Sequence, residues 1–349
     1  MNIAHLGRRR AIVGISIVSL LVAAILASAV IGQFSVSFTE VVGSLLRSIG
    51  IHTDWAPEDS TAEAALWVIR FPRIVMALAV GAALAVAGAV MQAVFGNPLA
   101  EPGVVGVSSG AALGAAIAIV LGLTAFGDWP VAILAFIGGL GATLLVYGVS
   151  RANGRTEVVT LLLTGIAVNA FAGAGLAFML FIGGSSSREQ IVFWQLGSLT
   201  GSMWHETVIV VSVAVVGTVI ALMLSRQYDI LSLGERNARH LGINVERLRL
   251  WSVVLVALLT GVGVAFVGII SFVGLVIPHL VRMILGPSHR PLILASAFGG
   301  GLLLVLADLL ARTIVTGAEL PIGLLTSLVG GPFFFALLWR QRKASGGWA

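Results

Sequence analysis

The stretch Leu250–Val281, LWSVVLVALLTGVGVAFVGIISFVGLVIPHLV, runs for 32 residues without an Asp, Glu, Lys or Arg. A membrane-spanning helix needs about 20 predominantly apolar residues, so the stretch is too long for a single span. Gly268, Gly274 and Pro278 lie in its second half, where glycine and proline favour an interruption of the helix. We therefore divide it into two membrane helices.

Other charge-free stretches of similar length lie on both sides of this one. They are Ala11–Ile31, Ile74–Gly96, Gly103–Gly127, Trp129–Ser150, Val158–Gly184, Thr207–Ser225, Pro291–Ala307 and Leu320–Trp339. Each is read as one span. Together with the divided stretch they predict an all-α, polytopic membrane protein with ten transmembrane helices.

The composition agrees with a membrane protein and excludes a soluble domain. Hydrophobic residues make up 58% of the chain and charged residues only 10%, whereas soluble domains are about 45–50% apolar and about 25% charged. The 43 glycines suit close packing of helices in a bilayer. Because the chain has no cysteine, it can form no disulfide framework, thiolate metal site or cysteine nucleophile.

The basic residues predict the orientation of the chain. Arg8, Arg9 and Arg10 precede the first span, and Arg340, Arg342 and Lys343 follow the last one. By the positive-inside rule both termini are cytoplasmic, which requires an even number of spans. Ten spans place most of the basic residues in the cytoplasm, so the net charge of +5 reflects topology and not nucleic-acid binding.

Two polar segments are longer than simple turns. Residues 32–67 are acidic and predicted to be extracytoplasmic, with a short interfacial helix around Thr39–Ile49 followed by a mobile tip. Residues 226–249 form the largest cytoplasmic segment, which is too small for a catalytic domain and can supply only one or two short helices. We expect residues 1–349 to form a single transmembrane domain, with the first apolar stretch retained as a helix.

The chain carries no nucleotide-hydrolysis motif of its own. The phosphate-binding loop G-x-x-x-x-G-K-[ST] needs a lysine before Ser or Thr, and the single lysine, Lys343, precedes Ala344. Proton coupling would need ionisable groups inside the spans, and Asp308 and His279 are the candidates. The alternatives are that Asp308 pairs with Arg312 four residues later, and that His279 is hydrogen-bonded beside the Pro278 kink.

Enzymatic chemistry has little support in the sequence. The six histidines include no H-E-x-x-H pattern and no close pair, so we expect no metal site and no catalytic residue.

Three groups of motifs carry more information than the apolar helices. The first is RFPR at 70–73, GAAL at 81–84, GAVMQ at 88–92, NPLAEPG at 97–103 and GVSSGA at 106–111; the second is LGERNARHLGI at 233–243; the third is FVGLVIPH at 272–279, ADLLAR at 307–312 and ELPIG at 319–323. In order and spacing, over about residues 10–343, they closely resemble the FecCD-type permease subunits of ABC importers for cobalamin, ferric siderophores and haem.

The resemblance implies the type II ABC importer permease fold, with ten transmembrane helices in the cytoplasmic (inner) membrane of a prokaryote. It also implies partners: a second copy of the permease in a homodimer, two cytoplasmic ATPase subunits and an extracytoplasmic substrate-binding protein, beside membrane lipid. ATP and Mg would bind to the ATPase, and we expect no cofactor and no nucleic acid on this chain.

The resemblance assigns docking of the binding protein to arginines at the outer mouth. The matching residues are Arg70, Arg73 and Arg312, which lie outside against the positive-inside bias. Acidic residues on the two lobes of the binding protein would meet them. The alternative is that they pair with Asp308, Glu63 or Glu319, or with lipid phosphate.

The resemblance also assigns ATPase coupling and an inner gate. The coupling residues would be Glu235, Arg236, Ala238, Arg239, Leu241 and Gly242. A solvated basic loop that only fixes topology is the alternative. The inner gate would contain Asn97 and Leu99, with a plain tight turn as the alternative. The family's other gate position, near Val158 and Val159, is not polar here.

Among substrates, the motifs at 97–103 and 106–114 look most like those of haem permeases. A ferric siderophore is the next candidate, followed by cobalamin. A proton-coupled secondary transporter is the alternative from a different class, and it predicts transport that survives without ATP and is lost in Asp308→Asn.

Overall fold

The computed structural model describes residues 3–32, 34–152, 155–315 and 317–344. The side chains of Arg8, Arg340, Arg342 and Lys343, on which the predicted orientation partly depends, lie outside what it describes. The described chain is helical apart from its turns and one hairpin of two-residue strands.

The helices follow each other with short connections. They are α1 (Ile3–Val30), α2 (Phe38–Ser48), α3 (Ser60–Ala64), α4 (Phe71–Phe95), α5 (Val107–Val120), α6 (Trp129–Val149), α7 (Val158–Ile182), α8 (Ser185–Leu196), α9 (Trp204–Leu231), α10 (Glu235–His240), α11 (Val245–Val267), α12 (Val273–Leu285), α13 (His289–Ala311) and α14 (Ile322–Ala344). A π-helical segment, Ala65–Arg70, joins α3 to α4, and short 3₁₀ turns precede and follow α5. Strands β1 (Arg151–Ala152) and β2 (Arg155–Thr156) pair antiparallel before α7.

A helix lies within or overlaps each of the ten predicted spans. In the described part of the chain, seven helical segments are long and apolar enough to cross a membrane. The other three apolar helices are shorter, namely α5, α12 and residues Ile322–Ala336 of α14. The all-α membrane fold is therefore confirmed, while ten complete crossings stay a prediction.

Glycine explains the largest difference from the predicted boundaries. The stretch Gly103–Gly127 contains a helix of only 14 residues, α5. Gly106 and Gly122, with φ of 86° and 70°, end that helix on both sides. These backbone angles suit glycine and few other residues, so an apolar run that is continuous in sequence is not continuous as a helix.

Two further boundaries differ from the predictions. Helix α9 continues to Leu231, so residues 226–231 of the predicted cytoplasmic segment belong to a membrane helix and only α10 is a separate helix there. Helix α8 was not predicted, because it carries Ser, Arg, Glu and Gln and no continuous apolar run.

The acidic segment 32–67 contains the predicted interfacial helix. Helix α2 covers Phe38–Ser48, within one residue of the prediction. Ser37 caps it, since its hydroxyl accepts the Glu40 N–H while the Glu40 carboxylate accepts the Ser37 N–H. This reciprocal capping box satisfies two backbone donors that a helix start would otherwise leave free.

Helix α4 lies at the centre of the molecule and packs against α9, α11, α12 and α13. Paired glycines allow the closest approaches: a Cβ on Gly81 would overlap the Gly300 carbonyl on α13, and a Cβ on Gly88 would overlap the Gly274 carbonyl on α12. Helices without side chains at these points bring their backbones into contact.

The break predicted within Leu250–Val281 falls between α11 and α12. Helix α11 ends at Gly268, whose φ is 73°, and α12 begins after Phe272, whose φ is 68°. The start of α12 does not lie at the edge of the molecule, because Gly274 packs against Gly88 in the buried α4. Helix α12 is therefore a short helix that begins in the interior.

Candidate functional site

Five charged residues form a cluster at the predicted outer ends of α4 and α13. We call Arg70, Arg73, Asp308, Arg312 and Glu319 the outer cluster. The Arg73 Nε atom lies 2.8 Å from Asp308 Oδ1, and its Nη1 atom lies 3.0 Å from Glu319 Oε2. Arg73 and Asp308 are almost fully buried, with side-chain exposures of 8% and 1%, and Glu319 is the most accessible of the three at 31%. This pairing offsets the cost of burying each charge.

Arg70 pairs with no carboxylate and instead binds the C-terminal end of α1. Its guanidinium donates to the carbonyl oxygens of Ala29, Val30 and Phe34. Ala29 and Val30 close α1, and the last carbonyls of a helix have no partner within it and carry a partial negative charge. Arg70 therefore completes the C-terminus of α1.

Arg312 links the same end of α1 to α13. Its Nη2 atom donates to the carbonyl oxygen of Ser28 over 2.7 Å and to the Ser28 hydroxyl over 2.6 Å. Its Nε atom lies 3.5 Å from Asp308 Oδ2, which is the pairing of residues four apart that the sequence suggested as an alternative. Asp308 thus lies between two arginines.

The structure therefore brings the three predicted docking arginines together. Within this chain Arg70 contacts the end of α1, while Arg73 and Arg312 pair with carboxylates. The alternative that these arginines pair with Asp308 and Glu319 therefore describes the contacts within the chain. Glu63, the third candidate partner, forms no ion pair among the described residues. The cluster contains three arginines and two carboxylates, so it keeps one positive charge in excess. Docking of a binding protein stays a prediction.

Glu319 connects the cluster to a neighbouring loop. Its carboxylate accepts a hydrogen bond from the Thr200 hydroxyl as well as from Arg73. Burial alone would raise the pKa of this carboxyl, but the Thr200 hydrogen bond and the charge of Arg73 lower it further than burial raises it. Glu319 is therefore ionised at physiological pH.

A second group of polar residues lies in the interior, where α4 meets the start of α12. We call Gln92, Glu101, Phe272, Gly274 and Arg282 the interior joint. The Phe272 N–H donates to Glu101 Oε1 over 3.2 Å, and the Gln92 amide donates to the Gly274 and Leu275 carbonyls over 3.5 and 3.3 Å. Arg282 donates to the Gln92 side-chain oxygen over 3.3 Å. Glu101 thus binds the backbone N–H of the residue that directly precedes α12.

The predicted gate residues lie directly before this joint. Asn97 is exposed and its side-chain oxygen accepts the Leu99 N–H over 2.9 Å, while Leu99 is half-buried. This Asx turn agrees with the tight-turn alternative. The Pro98 carbonyl faces the His279 ring of α12. In the described part of the structure, His279 Nδ1 has no hydrogen-bond partner. The turn thus contacts a helix that begins in the interior, and its gating role stays a prediction.

The predicted coupling residues form the helix α10 and the turn after it. Glu235, Arg236, Arg239 and Leu241 are exposed, whereas Ala238 is fully buried within this chain. Gly242 has a φ of 84°, which allows the turn between α10 and α11. Leu233 and Leu241 are each 60% exposed and flank α10 on its accessible side. The apolar contacts that a partner could use are therefore these leucines, and not Ala238.

Sequence reasoning missed the residues that hold α10 in place. Arg249 is 4% exposed at its side chain and pairs with Glu235 of α10 and with Glu246, and its Nη1 atom donates to the Thr156 carbonyl over 2.8 Å. The Thr156 N–H in turn donates to Glu246 over 3.0 Å. We call Thr156, Glu235, Glu246 and Arg249 the inner clasp. The E-x-x-R spacing of Glu246 and Arg249 was the signal for it.

The inner clasp also places Val158 and Val159, the family's second gate position, close to the coupling helix α10. A cavity of about 640 Å³ is lined by Val158 and Val159 at the start of α7 and by Arg236 and Arg239 of α10. Strand β2 leads directly into α7, so the clasp connects the coupling helix to a membrane helix.

No group of three or more His, Asp or Glu side chains suited to a metal ion occurs in the described ranges. The polar groups of the three sites are instead bound to each other and to helix ends. These contacts hold neighbouring helices to one another.

Comparison with known proteins agrees with this arrangement. The model of the FecCD transport family matches residues 20–340. The chain belongs to the FecCD transport family. It is 41% identical to the hemin transport system permease protein HmuU of Yersinia pestis, over 86% of this chain and 91% of that protein. It is 39% identical to the cobalamin import system permease protein BtuC of Halobacterium salinarum, over 93% of this chain and 94% of that protein.

A solved structure shows the same fold. It is described as an inward-facing conformation of a metal-chelate type ABC transporter, and the two chains align with a TM-score of 0.82 at 31% identity, over 93% of this chain and 98% of the other. The resemblance inferred from the motifs is therefore confirmed. As a member of the FecCD family with several apolar helices, the chain is a multi-pass protein of the cytoplasmic membrane.

Proposed function

We propose that this chain is the transmembrane permease subunit of an ATP-driven importer that moves haem across the cytoplasmic membrane by alternating access. The observation that carries the proposal is the interior joint, in a chain of the FecCD family. A helix that begins inside a bundle, opposite a polar turn, is typical of transporters, where interrupted helices border the substrate path.

ATP hydrolysis belongs to a separate subunit in this proposal, because the chain has no phosphate-binding loop. Helix α10 and the exposed Leu233 and Leu241 on either side of it contact the ATPase. The inner clasp passes the movement to α7 and α11. Two copies of the permease and two ATPases form the assembly. ATP and Mg bind to the ATPase, and this chain contributes no cofactor.

The extracytoplasmic binding protein docks on the outer cluster. Glu319 is the accessible carboxylate on Arg73, so an acidic side chain of the binding protein can take its place or add to it. The excess positive charge of the cluster favours an anionic partner.

Haem is the substrate we favour. The motifs at 97–103 and 106–114 support it, and a relative named for hemin transport is 41% identical. A ferric siderophore and cobalamin are the alternatives, and a relative named for cobalamin import is nearly as similar at 39%. All three are large chelates with apolar parts, which suit a path between apolar helices.

The experiment is ATP hydrolysis and substrate uptake by the permease in liposomes with the ATPase encoded beside it. The binding protein is added without ligand, or loaded with haem, with a ferric siderophore or with cobalamin. Haem is expected to stimulate hydrolysis and to accumulate inside. Stimulation by another chelate alone would change the substrate and keep the importer.

The same liposomes test the proton-coupled alternative. We expect uptake to stop without ATP and to be unaffected by a pH gradient. Uptake that follows the pH gradient and needs no ATPase would overturn the proposal.

A further inference from the structure

Helices α9 and α11 enclose a groove that none of the three sites uses. It has a volume of about 520 Å³ and lies between the end of α9 and the beginning of α11. On α9, Ile220, Leu224 and Gln227 line it, at a spacing of four and three residues. Side chains at this spacing share one face of a helix, so the groove runs along the last part of α9.

The α11 wall has the same regular spacing. Arg247, Trp251, Val254 and Leu258 line the groove at positions i, i+4, i+7 and i+11. At about 1.5 Å per residue, Leu258 lies about 16 Å from Arg247 along the helix axis. The hydrocarbon core of a bilayer is about 30 Å thick, so this length corresponds to one leaflet.

The two ends of the groove differ in chemistry. The end that lies farther from α10 is apolar, and its walls are Ile220, Leu224, Val254 and Leu258. Its other end holds Gln227, Asn244 and Arg247, next to the coupling helix α10. The positive-inside prediction places this end at the cytoplasmic surface.

Arg247 is the charged residue of this polar end. It is exposed, and its guanidinium makes no ion pair or side-chain hydrogen bond within the described residues. The neighbouring Arg239 and Arg249 are both paired with carboxylates. Asn244 uses its side-chain oxygen to cap α11 at the Arg247 N–H, which leaves its amide N–H groups free to donate.

Trp251 lies one helical turn from Arg247 and is 63% exposed. Tryptophan is enriched at the boundary between the hydrocarbon core and the head groups. Its position marks the depth at which the polar end of a lipid would begin.

We propose that this groove binds one anionic phospholipid of the cytoplasmic leaflet. The phosphate and the anionic head group contact Arg247 and the amides of Gln227 and Asn244, and an acyl chain lies between α9 and α11 as far as Leu258. Charge complementarity selects this occupant, because a basic residue at the cytoplasmic end of a groove between membrane helices attracts anionic head groups.

A second apolar groove gives a contrast within the same chain. It has a volume of about 420 Å³, and its walls include Val75, Ala82, Val215 and Phe298, with no charged residue in the lining. Such a groove can hold any acyl chain and has no means of choosing a head group. The specificity of the α9–α11 groove therefore comes from its polar end.

The experiment is quenching of Trp251 fluorescence by brominated lipids in nanodiscs that contain the full-length permease. The chain has eight tryptophans, so the signal of Trp251 is the difference between the wild type and Trp251→Phe. Brominated phosphatidylglycerol and brominated phosphatidylcholine are compared at the same mole fraction. We expect a preference for phosphatidylglycerol of about fivefold, as one cation near an anionic surface provides.

Three variants identify the source of the preference. Arg247→Gln is expected to abolish it and Arg247→Lys to retain it. Arg290→Gln removes an exposed cation on the same predicted side but outside the groove lining, and it is expected to change nothing.

Several results would overturn the proposal. They are equal quenching by both lipids, a preference that survives Arg247→Gln, and no quenching by either lipid, as when a second protein copy covers the groove. Loss of the preference on adding inorganic phosphate would indicate a site for a free anion and not for a lipid.

Discussion

The guanidinium of Arg73 lies between two carboxylates of very different accessibility. Asp308 is buried and holds one side, and the partly exposed Glu319 holds the other. An external carboxylate that binds Arg73 must therefore compete with Glu319. This competition makes the docking proposal testable without removing any arginine, which would leave buried charges unpaired.

Glu319→Gln is expected to strengthen docking of the binding protein about fivefold, because a pair at this exposure contributes about 1 kcal/mol that docking no longer has to replace. The measurement is the affinity of the binding protein for the permease–ATPase complex in nanodiscs. Glu58→Gln, another exposed carboxylate of the acidic outer segment, is the control and should leave the affinity unchanged. An unchanged affinity in Glu319→Gln would show that the binding protein does not compete for Arg73, and a weaker one would show that docking needs Glu319 itself.

The effect of pH on this pair has a definite sign. Because the folded state lowers the pKa of Glu319 below 4.5, its contribution to stability is complete above that value and is lost as the pH falls through the lower, folded-state pKa. The difference in thermal stability between the wild type and Glu319→Gln should therefore be constant from pH 8 to about 5.5. A stability difference that changes between pH 8 and about 5.5 would contradict the lowered pKa of Glu319.

Asp308→Asn is expected to destabilise the chain by about 3–5 kcal/mol, because it leaves Arg73 and Arg312 with less compensation in a buried site. Thermal unfolding in detergent measures this loss, with the exposed Asp128→Asn as the control. The protein that remains folded should still need ATP for uptake. Uptake that survives without ATP in the wild type and is lost in this variant would instead support the proton-coupled alternative.

At the scale of helices, the apolar stretches predicted where helices occur but not how far they extend. The break in Leu250–Val281 was predictable because the stretch is too long for one span, and it falls at Gly268, whereas Gly274 and Pro278 lie inside α12. The short length of α5 was not, because Gly106 and Gly122 look like the many glycines that lie inside helices and differ only in backbone angle. Helix α8 could not be predicted, because it has no continuous apolar run.

Gly88→Ala is expected to destabilise the packing of α4 against α12 by about 1–3 kcal/mol, because the added methyl group would overlap the Gly274 carbonyl. Thermal unfolding measures the effect. Gly141→Ala is the matched control, since this helical glycine of α6 has no atom near the added Cβ, and it should be neutral or slightly stabilising. Equal stability of the two variants would show that the α4–α12 contact is loose.

For the whole molecule, the motifs predicted the family and the composition predicted the membrane. They also predicted that Arg70, Arg73 and Arg312 belong together. Asp308 and Glu319 could be named from the sequence as alternative partners, but not which arginine pairs with which carboxylate, since the contacts of Arg73 with Asp308 and Glu319 join residues more than two hundred positions apart. The inner clasp was missed for the same reason, because Thr156 and Arg249 meet only after α7 to α10 have folded between them.

Glu246→Gln is expected to reduce stimulation of ATP hydrolysis by the loaded binding protein severalfold while the ATPase stays bound, because it weakens the hold of the clasp on Thr156 and Arg249. Hydrolysis in liposomes and co-purification of the ATPase are the two measurements. Arg226→Gln, a substitution of an exposed charge at the end of α9, is the control. Loss of ATPase binding would mean that Glu246 shapes the docking surface itself.

The contact of Arg70 with the carbonyls of Ala29 and Val30 also has a consequence for biosynthesis. The arginine is translated about forty residues after the helix end that it binds. While the chain emerges from the ribosome, the outer end of α1 has only water and lipid head groups for its last carbonyls, and the acidic segment must be translocated before Arg70 can reach them. Helix α1 is thus synthesised before the arginine that binds its C-terminal end. A chain truncated before residue 70 would lack this contact.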